Sequence, residues 1–170
     1  MSWQDYVSSY LTNFTDANSG KTASNVCEHG AIVGNTDGTV WASTTNFKLD
    51  PSFTVEVEKD DGSTEKAVVN EFESLLDAFT NKGLPTKKGG VRINHEKYFP
   101  VLFDEERGVL YLKKSGGGAA VALSNLAFVI GTFSSKLKLT NLNGVVEPQN
   151  PGYTNRVVEE LQTFLKENSL

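Results

Sequence analysis

Val109-Leu110-Tyr111-Leu112-Lys113-Lys114-Ser115-Gly116-Gly117-Gly118-Ala119-Ala120-Val121-Ala122-Leu123-Ser124-Asn125-Leu126-Ala127-Phe128-Val129-Ile130-Gly131-Thr132-Phe133 decides the fold. Three short apolar runs, Val109–Lys113, Ala119–Leu123 and Ala127–Phe133, are cut by the turn signals Ser115–Gly118 and Ser124-Asn125. Apolar runs of strand length separated by such turns pair as neighbouring antiparallel strands. Upstream, Val91–Ile93 and Tyr98–Phe103, with turns at Asn94-His95 and Asp104–Gly108, extend the series into a meander.

Working outward, Ala31–Val33 and Thr39–Ser43 flank Gly34-Asn35-Thr36-Asp37-Gly38 and read as a hairpin. Phe53–Glu58 alternates apolar and polar, Lys59–Ser63 turns, and Thr64–Val69 returns. Charged outward faces predict that this hairpin, residues 53–69, stands partly free of the core. Asn70 caps a helix with Glu73 at the capping-box position. Phe72, Leu75, Leu76 and Phe79 give its apolar stripe, and Gly83 with Pro85 ends it. Thr15–Glu28 and Lys136–Tyr153 read as loops, the second long enough to suggest a functional or mobile segment.

Both ends are helical. In Met1-Ser2-Trp3-Gln4-Asp5-Tyr6-Val7-Ser8-Ser9-Tyr10-Leu11, Ser2 is an N-cap and Asp5 stands near the positive end of the helix. At 100° per residue Val7, Leu11 and Phe14 make one apolar stripe, and Trp3, Tyr6 and Tyr10 an adjoining aromatic one. Asn155–Leu170 is a second amphipathic helix. Helices at both ends with sheet between them define an α+β domain spanning residues 1–170.

The 170 residues suffice for one packed domain. A hydrophobic fraction of 38% and mean hydropathy of −0.30 fit a soluble protein. No apolar stretch approaches 20 residues and no basic-then-apolar leader opens the chain, so neither a membrane span nor secretion is expected. The single Cys27 has no disulfide partner within the chain, in keeping with a reducing compartment, and the expected location is the cytoplasm. Net charge −5 opposes nonspecific nucleic-acid binding, which needs a basic face.

No constellation for catalysis stands out. His29 and His95 are the only histidines and fall in expected loops, and Cys27 with His29 lacks a second pair for a tetrahedral metal site. Ser115–Gly118 lacks the Gly-Lys-Ser/Thr of a phosphate loop, and no Gly-x-Ser-x-Gly elbow occurs. Glu71, Glu73, Glu159 and Glu160 read as solvated acids on helix surfaces. A non-enzymatic protein without cofactor or metal is expected.

Ser2-Trp3-Gln4-Asp5-Tyr6-Val7 and Ala31–Ser43 resemble profilins, the small actin-monomer and proline-rich-peptide binding proteins. The likeness continues in order through Leu84-Pro85-Thr86, Glu96-Lys97-Tyr98, Lys113–Gly118, Asn125–Gly131 and the last helix. It implies a central antiparallel sheet with the N- and C-terminal helices packed on one face and the middle helix on the other. It also implies a poly-proline groove from Trp3, Tyr6, Trp41, Phe164, Leu165 and Leu170. A proline-rich segment is already a PPII helix, so stacking its rings on aromatic faces costs little ordering.

The actin-binding positions implied by the resemblance are Lys97, Lys113, Lys114, Asn155, Arg156 and Glu160. Arg156 and Glu160, at i and i+4, can pair with each other or with a partner. Leu102 stands where animal profilins typically place an arginine. The segment 136–153 is longer than the family's usual connection, and it extends that interface or obstructs it. Hairpin 53–69 resembles an arm-like insertion of apicomplexan profilins, implying an actin contact. Phosphoinositide headgroups would meet Lys87, Lys88, Arg92 and Lys97, with Lys113 and Lys114 nearby, although the overall negative charge opposes anionic membranes.

The implied function is a cytoplasmic, monomeric adaptor of the actin cytoskeleton. It would bind monomeric actin, regulate polymerisation and nucleotide exchange, and dock proline-rich proteins such as formin-like nucleators. The competing reading from another class is a peptide- or small-ligand-binding sensory module on a similar scaffold, which would enclose a pocket between sheet and helices.

Overall fold

The computed structural model describes residues 1–170. The helices are α1 (Trp3–Tyr6), continued by a π-helical turn (Val7–Leu11), α2 (Glu71–Thr80) and α3 (Pro151–Glu167). The strands are β1 (Asn13–Thr15), β2 (Thr22–Ser24), β3 (His29–Gly34), β4 (Val40–Ser43), β5 (Phe53–Glu58) and β6 (Thr64–Val69). They continue with β7 (Val91–Ile93), β8 (Glu96–Asp104), β9 (Val109–Lys114), β10 (Gly117–Leu123), β11 (Ala127–Ser134), β12 (Lys138–Thr140) and β13 (Val146–Pro148).

The expected meander forms the larger part of a seven-stranded sheet in the order β4-β3-β11-β10-β9-β8-β7, every pairing antiparallel. Alternation along its strands separates two cores. Ile32, Ala120, Ala122 and Val129 point to the face covered by Val7 and Leu11 and by Val157, Val158, Leu161 and Leu165 of α3. Val33, Leu110, Val121, Phe128 and Ile130 point the other way, against Leu75 and Ala78 of α2. The α+β arrangement is the one expected: terminal helices on one face, middle helix on the other.

Several expectations need correction. Phe14 is not on the first helix. The helix closes in a π turn at Leu11, Thr12 bonds back to the Ser8 carbonyl, and Phe14 enters the core from β1. The two segments expected as loops carry short hairpins, β1–β2 and β12–β13, joined into a four-stranded sheet in the order β1-β2-β12-β13. Strands of three residues are too short to show periodicity among so many turn residues. The cluster Gln149-Asn150-Pro151-Gly152 is the start of α3 rather than loop: Asn150 accepts from the Gly152 N–H and Pro151 occupies the first helical turn.

Glu71, expected as a solvated acid, is fully buried, its carboxylate accepting the backbone N–H groups of Asp50 and His95 at 2.8 Å each. Burial pushes its pKa up, and those two hydrogen bonds oppose the shift. It ties the base of the 53–69 hairpin and the β7–β8 turn to α2. Leu76, expected in the stripe, is exposed, while Phe72 and Phe79 flank Phe128. The β5–β6 hairpin forms its own two-stranded sheet. Phe53 stacks on His95 at 4.2 Å, and Lys88 pairs with Glu65 at 2.7 Å.

Candidate functional site

The first helix begins where Ser2 and Asp5 complete a reciprocal capping box, each accepting the other's backbone N–H. Its Gln4 side chain donates to the Ser43 carbonyl at 3.1 Å, fastening the helix to β4. That attachment sets the Trp3 ring 4.9 Å from Trp41. From Trp3 the row continues to Tyr6 at 5.8 Å, and from Tyr6 to Phe164 of α3 at 5.6 Å and Tyr10 at 6.1 Å. Tyr10 and Phe164 close it, stacked 6.1 Å apart with planes 21° from parallel.

Trp3, Tyr6 and Trp41 are half-buried and Tyr10 and Phe164 exposed, so the row sits on the surface with its edges in the core. Leu170 is half-buried against the core beneath α3, its carbonyl accepting the Asn125 N–H, and no contact joins it to the row. Leu165 is fully buried. It faces the sheet from the inner side of α3, one helical step from Phe164, and supports the row without offering a contact face. Tyr10 takes the exposed place. Its position in the N-terminal aromatic stripe is the sequence signal for it, although the resemblance does not carry it over.

A second surface lies between α3 and strands β8 and β9. A groove of about 500 Å³ is lined by Leu102, Tyr111, Lys113, Phe133, Asn155 and Glu159, among others. Its wall is fixed by the Tyr111 hydroxyl donating to Glu159, which Arg107 also reaches at 3.3 Å. Glu159 is therefore half-buried and engaged rather than a free surface acid. Lys97 lies over the exposed Phe99 ring at 5.1 Å, and Phe99 pairs across the strands with Lys113, so both lysines face this side of the sheet.

The remaining positions implied for actin do not join them. Lys114, next to Lys113 on β9, points to the opposite face, where it pairs with Glu96 and, at 3.6 Å, Glu28, above the Tyr98 ring. Arg156 lies over the Phe14 ring at 4.8 Å and makes no pair with Glu160, which flanks Phe164. The basic residues converge only in part. Arg92 and Lys97 are cross-strand partners, but Arg92 donates to the Gly89 carbonyl, Lys88 is held by Glu65, and Lys87 is exposed. His29 opens β3 rather than lying in a loop, with Nε2 near the Asn94 amide.

A sandwich whose two sides are filled by clusters of 17 and 14 buried hydrophobic residues, with its aromatic row outside, is built to present faces rather than to enclose a ligand. No helix is long and apolar enough to cross a membrane. The family model described as Profilin matches residues 1–170. A profilin of Tetrahymena pyriformis is 42% identical over 167 residues, covering 97% of this chain and 96% of the relative. Acanthamoeba castellanii profilin IA has the same fold at a TM-score of 0.65 and 22% identity, covering 99% of this chain and all of its own. Mouse profilin IIa, solved in complex with a double repeat from the FH1 domain of mDia1, superposes at a TM-score of 0.55 and 17% identity over the full length of both. The chain belongs to the profilin family, a family of binding proteins rather than enzymes.

Proposed function

We propose that this protein binds proline-rich segments on the row Trp41–Trp3–Tyr6–Phe164, and monomeric actin on the separate groove beside Lys97, Lys113 and Asn155. The observation that carries the reading is the unbroken aromatic row, whose successive rings lie 4.9–5.8 Å apart. A PPII helix rises ~3.1 Å per residue, so each step matches about two residues of a proline run. Ring contacts of this kind contribute on the order of 1 kcal/mol each, so affinity should climb steeply with ligand length. The mouse relative, solved with a double repeat from the FH1 domain of mDia1, is a precedent on the same fold.

Family membership supports the actin reading, and Lys97, Lys113 and Asn155 lie toward the groove while Lys114, Arg156 and Glu160 lie away from it. Holding actin and a proline-rich nucleator together raises the local actin concentration in the cytoplasm without any catalytic residue. An effect on nucleotide exchange would follow from preference for one actin conformation. Lys97 and Arg92, cross-strand partners, and the exposed Lys87 are the candidates for an anion-binding surface for phosphoinositides, with Lys88 engaged by Glu65. Residues 1–170 act as one unit in this reading.

Titration with poly-L-proline, followed by tryptophan fluorescence, tests the groove. A saturable change that Trp3→Ala abolishes supports it, and no change at high ligand concentration overturns it.

A further inference from the structure

At the end of the aromatic row is a feature that a plain proline run does not use. Beyond the stacked Tyr10 and Phe164 rings is a recess of about 240 Å³, lined by Ser9, Tyr10, Asn13, Thr15, Glu160 and Phe164. Tyr10 is 44% and Phe164 38% exposed, so both rings are open to a ligand at this end. The recess is polar along one wall, and Glu160 is its only charged residue.

Glu160 is an exposed carboxylate without a cation of its own. The two arginines beside it are committed elsewhere, Arg107 to Glu159 at 3.3 Å and Arg156 to the face of Phe14 at 4.8 Å. Glu159, one residue away, is of like charge, and burial and that neighbour raise the pKa of Glu160 while Arg156 opposes the shift. An aromatic face beside an unpaired carboxylate is complementary to one kind of group. A guanidinium or ammonium can lie against the ring while its N–H donors reach the acid.

We propose that Tyr10, Phe164 and Glu160 form a terminal subsite that selects proline-rich segments bearing an arginine or lysine next to the proline run. The inference rests on the groove reading above and adds a charge preference to it. The aromatic row supplies affinity without sequence preference, since every proline ring is alike. The subsite supplies direction and choice of partner, because only one end of the row ends at Glu160.

The test uses decaproline flanked at both ends by Arg, by Gln or by Glu, titrated into the full chain by tryptophan fluorescence. Arg-flanked peptide should bind roughly three- to tenfold more tightly than Glu-flanked peptide, with Gln between, an effect of the size expected for one exposed ion pair with a cation–π contact. In Glu160→Gln that ratio should fall to near one, and Tyr10→Leu should reduce it. Trp3→Ala should weaken all three peptides together. Equal affinities in the wild-type protein, or a ratio that persists in Glu160→Gln, would overturn the subsite and leave the groove standing. Failure of all three peptides to bind would overturn both.

Discussion

Gly34 on β3 lies directly beneath the indole of Trp41 on β4. A Cβ built on Gly34 would stand 3.0 Å from Cε2, Cζ2 and Nε1 of the ring. The absent side chain lets the tryptophan lie flat on the strand, which brings it within 4.9 Å of Trp3. Gly34→Ala should lift the indole by a few tenths of an ångström, shift the tryptophan emission and weaken poly-L-proline binding several-fold. Unchanged emission and affinity would show that the close approach does not position the groove.

Phe164 and Leu165 are neighbours on α3 with opposite duties. Phe164 is 38% exposed in the row, whereas Leu165 is fully buried. Leu165→Ala should cost about 2–5 kcal/mol of stability through lost contacts and the cavity left behind. Phe164→Ala should cost much less stability and lose proline-peptide affinity. Chemical denaturation and peptide titration of both variants separate the two effects, and the reverse pattern would contradict the assignment.

Cys27 is buried at the interface of the sheet and α3, and burial pushes its thiol pKa up to about 12, with the Thr154 side chain acting the other way. The unfolded thiol ionises near ~8.5, so between these values the native state holds a proton that the unfolded state has released. This contribution to stability is fully present below about pH 8.5 and is lost as pH rises through about 12. Tyr98, raised by burial and then by Glu28 and Glu96, and Tyr111, raised by burial and by Glu159, act in the same direction. The thermal midpoint should fall steadily from pH 8.5 upward, and at pH 8 a thiol reagent should label Cys27 only in denaturant. Rapid labelling of the native protein would contradict its burial.

The long features of this fold are legible in the sequence, and the short or polar ones are not. Val109–Phe133 declares its strands because each apolar run is bounded by glycine or asparagine turns. The bounds of β5, β6 and β7 match the alternation residue for residue. By contrast, β12 and β13 hide among Asn141, Asn143-Gly144 and Pro148, where three residues cannot establish a period. Glu71 reads as a surface acid because a glutamate at a helix start is normally solvated. Only tertiary structure brings the N–H groups of Asp50 and His95 to it.

The candidate groove shows the same division. The family pattern places Trp3, Tyr6, Trp41 and Phe164, and the N-terminal aromatic stripe contains Tyr10. The resemblance gives Leu165 a contact role, but the rotation of α3 turns it inward. Strand alternation alone, applied to the neighbours Lys113 and Lys114, separates them onto opposite faces of the sheet.

Two separate faces should let one chain hold actin and a proline-rich segment at once. Sedimentation velocity of the full chain with monomeric actin and a fluorescent decaproline peptide reads this out directly. Peptide fluorescence should move with a complex of actin and this protein, and Trp3→Ala should remove the peptide while the actin complex remains. Peptide displaced as actin binds, or no complex with actin at tens of micromolar, would contradict simultaneous binding on two faces.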